Sequence, residues 1–193
     1  MKLILASSSA IRQQMLRVAG VEHDVIASAI EEDPIKAIYS DAAEMTADLA
    51  AAKAVSVSRG SPDAWVIGSD SAVGVEGRRF DKPASREAAA EHLRAFSGRS
   101  MQLTSAVALA RGGAVDWRHV EVAHLKLRPL SEAFIQSYLD AEWPEVGYCV
   151  GVFRMEGRGV QLFDRVEGSH FTILGMPLVA LLGALRDRGL LPA

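Results

Sequence analysis

The chain is poor in cysteine: Cys149 is the single one in 193 residues. No intramolecular disulfide framework can form, and a cysteine-built zinc site lacks its ligands. Long apolar runs are missing too. Residues 1–6 turn polar at Ser7, and the longest later run spans residues 176–182. Both are too short for a signal-peptide core or a bilayer span, so a soluble, cytoplasmic protein with no membrane partner is expected. There is no excess of positive charge, since 21 Lys and Arg oppose 24 Asp and Glu for a net charge of -3. That argues against a protein binding nucleic acid through its whole surface, while allowing a local basic pocket for a small anion. Internal repeats, low-complexity tracts and linkers are absent. The five histidines have no metal-ligand spacing. His119 and His124 lie on one expected strand, five apart, and so point to opposite faces.

What is present is the mix of a folded chain, 49% hydrophobic and 23% charged. The length suits one domain, residues 1–193, or two small lobes around a common sheet. Residues 2–6 read as a strand. Ile11, Met15 and Val18 then give a helix stripe, with Ser9 as N-cap and Gly20 as stop. Residues 41–59 read as a second helix, with Met45, Leu49 and Ala52 inward. Residues 65–70 read as a strand ending in Asp70, and residues 72–80 as a hairpin turning at Glu76-Gly77. Ser85 caps a third helix, with Gly98 beyond its end. Two long strands meet at Gly112-Gly113, the second with a shift near Ala123 that suggests a bulge. Ser131 caps a further helix, and Leu178, Leu181, Leu182 and Leu185 face inward from a last one. Helices alternate with strands early and adjacent strands dominate the middle. That pattern predicts an α/β fold with a mixed sheet flanked by helices.

Chemistry could reside in five places. Ser7 to Ser9 precede a helix whose free N–H groups suit phosphate, and Arg12 in the first turn can fork onto phosphate oxygens. Serines before a helix are otherwise ordinary caps, and no Walker-type glycine pattern is present. Lys53 continues the inward stripe of Met45 and Leu49, so it must snorkel outward or meet an anion. Asp70, at an expected strand end, could hold Mg²⁺, orient water or merely cap a turn. Lys82 is a cation on a loop stiffened by Pro83, or a plain surface lysine. Glu156, in a glycine-rich segment, could accept hydrogen bonds from a base, while Asp164, Arg165 and Glu167 read as a surface ion cluster.

Together these segments resemble the Maf family of nucleoside triphosphate pyrophosphatases along nearly the whole chain. Ser7-Ser8-Ser9-Ala10-Ile11-Arg12 looks like the opening Ser-x-Ser-Pro-x-Arg motif, and Ile30-Glu31-Glu32 like its hydrophobic–acidic–Glu element. Ala52-Lys53-Ala54, Gly68-Ser69-Asp70, Lys82-Pro83 and Phe96-Ser97-Gly98-Arg99 match later motifs. Glu156-Gly157 and Val166-Glu167-Gly168 fall at the last two loops, before Gly175-Met176-Pro177-Leu178.

The resemblance implies a two-lobed fold with a central cleft, similar to the inosine triphosphate pyrophosphatase fold. It implies cleavage of a nucleoside triphosphate to monophosphate and pyrophosphate with Mg²⁺ or Mn²⁺. It makes Asp70 the catalytic and metal-site carboxylate and Glu32 a second metal-associated one. Ser7, Ser9, Arg12, Lys53, Ser71, Lys82 and Glu156 become substrate-binding. Arg12, Ser71 and Glu156 would discriminate between substrates. Ala10 replaces the family's usual proline, and Asp81 a glycine before Lys82. The segment ending Phe153-Arg154-Met155-Glu156 looks more like the branch acting on 7-methyl-GTP than the branch acting on dTTP and UTP. A homodimer is compatible with this reading, and a nucleotide-binding regulator with weak or no catalysis is its alternative.

Overall fold

Apolar side chains alternate in step along two N-terminal segments. Leu3 and Leu5 join one buried cluster and Ile4 and Ala6 another, while Trp65 and Ile67 share the first and Val66 the second. A strand apolar on both faces must be covered on both. The computed structural model describes residues 2–192 and has this arrangement. Its first elements are β1 (Leu3–Leu5), α1 (Ala10–Val18), β2 (Asp24–Val25), α2 (Asp33–Lys36), α3 (Ala42–Gly60), β3 (Trp65–Val75) and β4 (Arg78–Phe80). Then come α4 (Arg86–Phe96), β5 (Ser100–Arg111), β6 (Ala114–Leu127), α5 (Glu132–Glu142), β7 (Phe163–Glu167), α6 (His170–Ile173) and α7 (Leu178–Asp187).

Among the described residues seven strands form one sheet in the order β2-β1-β3-β5-β6-β7, with β4 beside β3. The sheet is mixed: β1 runs parallel to β2 and β3, while β4 pairs antiparallel with β3 and β7 with β6. Among the described residues no helix is long and apolar enough to cross a membrane.

The chain divides into two compact units. The first holds the residues up to Ser71, Thr104–Glu121 and those from Ser169 onward; the second holds Ala72–Leu103 and Val122–Gly168. In the first unit α1 and α7 cover one sheet face through Met15, Leu16, Leu178, Leu181 and Leu185. The alanine-rich α3 covers the other through Ala50, Ala51, Ala54 and Val57. In the second unit Phe80 and Phe96 meet edge to face, 4.7 Å between centroids. Ser85 and Ser131 cap α4 and α5 by accepting from Ala88 N and Phe134 N.

Several local expectations change. Val18 is 81% exposed, and the buried pair of α1 is Met15 and Leu16. The inward stripe is rotated because Arg12, one turn earlier, also points inward. Gly20, at φ +71°, ends α1 as expected, with Val21 N donating to Leu16 O. Ser9 is the N-cap by position, yet its side chain caps nothing. The strand with Asp70 and the first arm of the hairpin are one element, so Asp70 lies mid-strand rather than at a strand end. Its parallel neighbour β1 stops at Leu5, opposite Ile67, so Asp70 lies beyond the end of that neighbour. The turn itself is at Glu76-Gly77, both with positive φ, as a tight hairpin requires. Ala123, Leu125 and Leu127 are buried in alternation, and the β6–β7 pairing carries an irregularity between Lys126 and Leu127.

Candidate active site

Side-chain parity along β3 sorts the site. Even positions Val66, Gly68 and Asp70 face α3, and odd positions Ile67, Ser69 and Ser71 face α1 and the start of α7. Gly68 controls the first side. A Cβ there would stand 2.0 Å from Ala50 O and 2.7 Å from Ala54 N. The helix backbone therefore lies on the strand more closely than any side chain would allow. This approach brings Lys53 onto Asp70.

Lys53 Nζ donates to Asp70 Oδ1 at 2.6 Å and pairs with Glu32 Oε1 at 2.7 Å. Lys36, one turn beyond Glu32, holds Glu32 Oε2 at 2.9 Å. Lys53 is 9% exposed and Asp70 7%. A charge buried singly carries a large desolvation cost, and Lys53 has two carboxylates, Asp70 and Glu32, to offset it. Between the two possible fates of Lys53, it meets anions. Partial burial opposes ionisation of Glu32, but the hydrogen bonds and charges of Lys53 and Lys36 outweigh it and hold the carboxyl at about 2.

On the opposite side Arg12 spends its donors on neutral oxygens. Nε donates to Gly175 O at 2.9 Å, Nη1 to Ser69 O at 3.0 Å and Ser7 Oγ at 3.4 Å, and Nη2 to Ser71 Oγ at 3.0 Å. None of these acceptors is a carboxylate. Burial lowers the pKa of the guanidinium, with the charges of Asp70 and Glu32 opposing that shift. It stays cationic, so its charge is available to an anion. Gly175 O also accepts from Ser69 Oγ and Ser71 Oγ, and Ser71 bonds Ser105 Oγ at 2.9 Å. Ser7 Oγ accepts from Ser9 N at 3.2 Å.

The first unit thus gathers Ser7, Ser9, Arg12, Glu32, Lys53, Asp70 and Ser71. Lys82 and Glu156 belong to the second, where both are exposed. Glu156 Oε1 accepts from Arg154 Nε at 3.4 Å. Both sit within electrostatic reach of the Cys149 thiol, which burial, then Glu156, push up to about 11 against the pull of Arg154 and Lys82. Sequence reasoning missed Lys36, Ser69, Gly175 and Arg154. Only Lys36 carried a local signal, standing i+4 from Glu32. The surface character of Arg165 and Glu167 holds, as they pair with each other in the open.

A buried lysine between two carboxylates, and an arginine held on neutral oxygens, describe an α/β protein with cations placed to meet an anionic substrate. The chain belongs to the Maf-like protein family, whose model matches residues 2–188. A nucleoside triphosphate pyrophosphatase of Nitrobacter hamburgensis is 47% identical, over 98% of this chain and 95% of that protein. A 7-methyl-GTP pyrophosphatase of Rhizobium meliloti is 43% identical, over 99% and 98%. Among solved structures, a dITP/XTP pyrophosphatase of Mycobacterium abscessus is 17% identical with a TM-score of 0.46, covering 98% of this chain and 96% of that one.

Proposed function

We propose that this protein is a nucleoside triphosphate pyrophosphatase, cutting between the α- and β-phosphates to give nucleoside monophosphate and pyrophosphate. The observation that carries the reading is Asp70 and Glu32 converging on the buried Lys53. Carboxylates and cations in one cluster suit a metal–triphosphate substrate, and the relatives' names point to the same chemistry.

Asp70, fixed through Oδ1 by Lys53, orients the attacking water and accepts its proton. Lys53, Arg12 and Lys82 offset the charge that gathers on the leaving pyrophosphate. The hydroxyls of Ser7 and Ser9 and the first N–H groups of α1 add donors for phosphate. Asp70 and Glu32 offer hard oxygens that fit Mg²⁺ or Mn²⁺. No group of three or more His, Cys, Asp or Glu forms a metal cage among the described residues. Substrate oxygens and water would complete the shell, as is usual for Mg²⁺. When bound, the cation supplies charge neutralisation on the triphosphate.

Glu156 faces the base in this reading. An ionised carboxylate accepts from the N1–H and amine of a guanine edge and repels the O2 and O4 acceptors of pyrimidines. Guanine-type triphosphates, including 7-methyl-GTP, are therefore the expected substrates. The test is product analysis with GTP, 7-methyl-GTP, UTP and dTTP, with and without chelator. Pyrophosphate and monophosphate should appear only with a divalent cation, and faster from the guanine substrates. Stepwise orthophosphate, or triphosphate binding without turnover, would overturn the reading.

A further inference from the structure

The loop bearing Glu156 is held more firmly than an exposed loop requires. Val152 has φ +55°, a left-handed conformation that β-branched residues avoid unless their surroundings enforce it. Its carbonyl accepts from Tyr138 Oη on α5 at 3.0 Å. One helical turn on, Glu142 reaches the same loop. Its Oε1 accepts from Arg158 N at 3.4 Å. Its Oε2 is buried without a hydrogen-bond partner, with Arg154 Nη1 3.9 Å away. Gly159 closes the loop, since a Cβ there would stand 2.4 Å from Arg154 O and 2.7 Å from Arg154 N.

Arg154 therefore stands between two carboxylates of different character. The Glu142 side chain is 10% exposed and that of Glu156 35%. A carboxylate as buried as Glu142 needs a cation close by, and Arg154 faces it. The guanidinium has a rigid fork of donors, so anchoring Nη1 toward Glu142 also aims Nε, which meets Glu156 Oε1. An exposed glutamate would otherwise sample many rotamers and lose them on binding.

We propose that Arg154, anchored by Glu142, is a positioning residue for base selection. It holds Glu156 through Oε1 and leaves the rest of that carboxylate's acceptor capacity for the base edge. The proposal rests on the reading of Glu156 as the base-facing residue.

The test uses the full chain with Arg154→Met, Arg154→Lys, Glu142→Gln and Glu156→Gln, measuring kcat and KM for GTP, 7-methyl-GTP and UTP. Arg154→Met should lower kcat/KM for both guanine substrates about three- to tenfold, through KM, because the ordering of Glu156 is now charged to binding. Values for UTP should stay within about twofold, since UTP gains nothing from the oriented carboxylate. Arg154→Lys, which keeps the charge and not the fork, should recover part of the loss. Glu142→Gln should shift the guanine-to-UTP ratio in the same direction. An unchanged or higher ratio in Arg154→Met, while Glu156→Gln still moves it, overturns the positioning role and leaves the base-facing role of Glu156 standing. An equal loss on all three substrates marks a purely structural role and also overturns it. A ratio that Glu156→Gln itself does not move overturns both. Should Arg154→Met fail to fold, Arg154→Lys decides alone: a ratio equal to wild type overturns the need for the fork.

Discussion

Gly68→Ala isolates the contact on which the site geometry depends. The added Cβ would meet Ala50 O at 2.0 Å, and ordinary contact begins at 3.4 Å, so α3 must retreat by about 1.4 Å. The obstacle is backbone, which cannot swing aside. The cost should lie at the top of the overpacking range, about 3 kcal/mol. For a chain of this size that lowers Tm by about 6–12 °C. The same retreat would stretch the Lys53–Asp70 contact from 2.6 Å, and a misplacement of about 1 Å can reduce turnover about 10²-fold. The contrasting change is Gly183→Ala within α7, where nothing lies within 4 Å of the added carbon. There the lower entropy of the unfolded chain should raise stability by about 0.4–1 kcal/mol. Thermal and urea unfolding of both variants, with pyrophosphate release measured well below the melt, check the pair. Wild-type melting and turnover in Gly68→Ala would refute the close-packing argument.

Asp70→Asn should remain folded, because Lys53 keeps its 2.7 Å contact with Glu32, while hydrolysis falls by about 10²–10⁴ as the proton acceptor is lost; turnover near wild type would remove Asp70 from the mechanism. Glu32 has a folded pKa of about 2 against an ordinary 4.5. A depressed carboxyl stabilises the fold fully above the higher value, and that contribution drains away as pH falls through the folded one. Urea midpoints between pH 6 and 2.5 should therefore drop less steeply in Glu32→Gln than in wild type, the difference being trimmed by solvent because the side chain is 34% exposed. Gly175→Ala puts a side chain at φ +104°, 3.3 Å from Ser71 Oγ and 3.6 Å from Arg12 Nη2. It should cost about 1–3 kcal/mol in backbone strain and weaken triphosphate binding, measured by calorimetry; an unchanged Kd would show that the Gly175 carbonyl does not set the pose of Arg12.

The sequence by itself determined the period of each element and several of its ends. Unbroken apolar runs at residues 3–6 and 65–67 mark strands covered on both faces, and Ser85, Ser131 and Gly20 mark helix ends through local hydrogen bonds and backbone freedom. It also exposed Lys53 and Asp70 as charges set in apolar surroundings, which is a local anomaly and so legible in one dimension. Tertiary structure alone decided what those charges meet. Lys53 and Asp70 are 17 apart in the chain, and they touch because the missing side chain at Gly68 lets α3 settle on β3. The inward turn of Arg12 was hidden for a related reason: its acceptors at Ser69, Ser71 and Gly175 come from remote segments, and apolar periodicity alone turned the stripe toward Val18. Arg154 was illegible because an arginine two residues before Glu156 reads as an ordinary surface charge. Its meaning depends on Glu142, buried at the end of α5, and burial is a property of the packed chain rather than of any stretch of it.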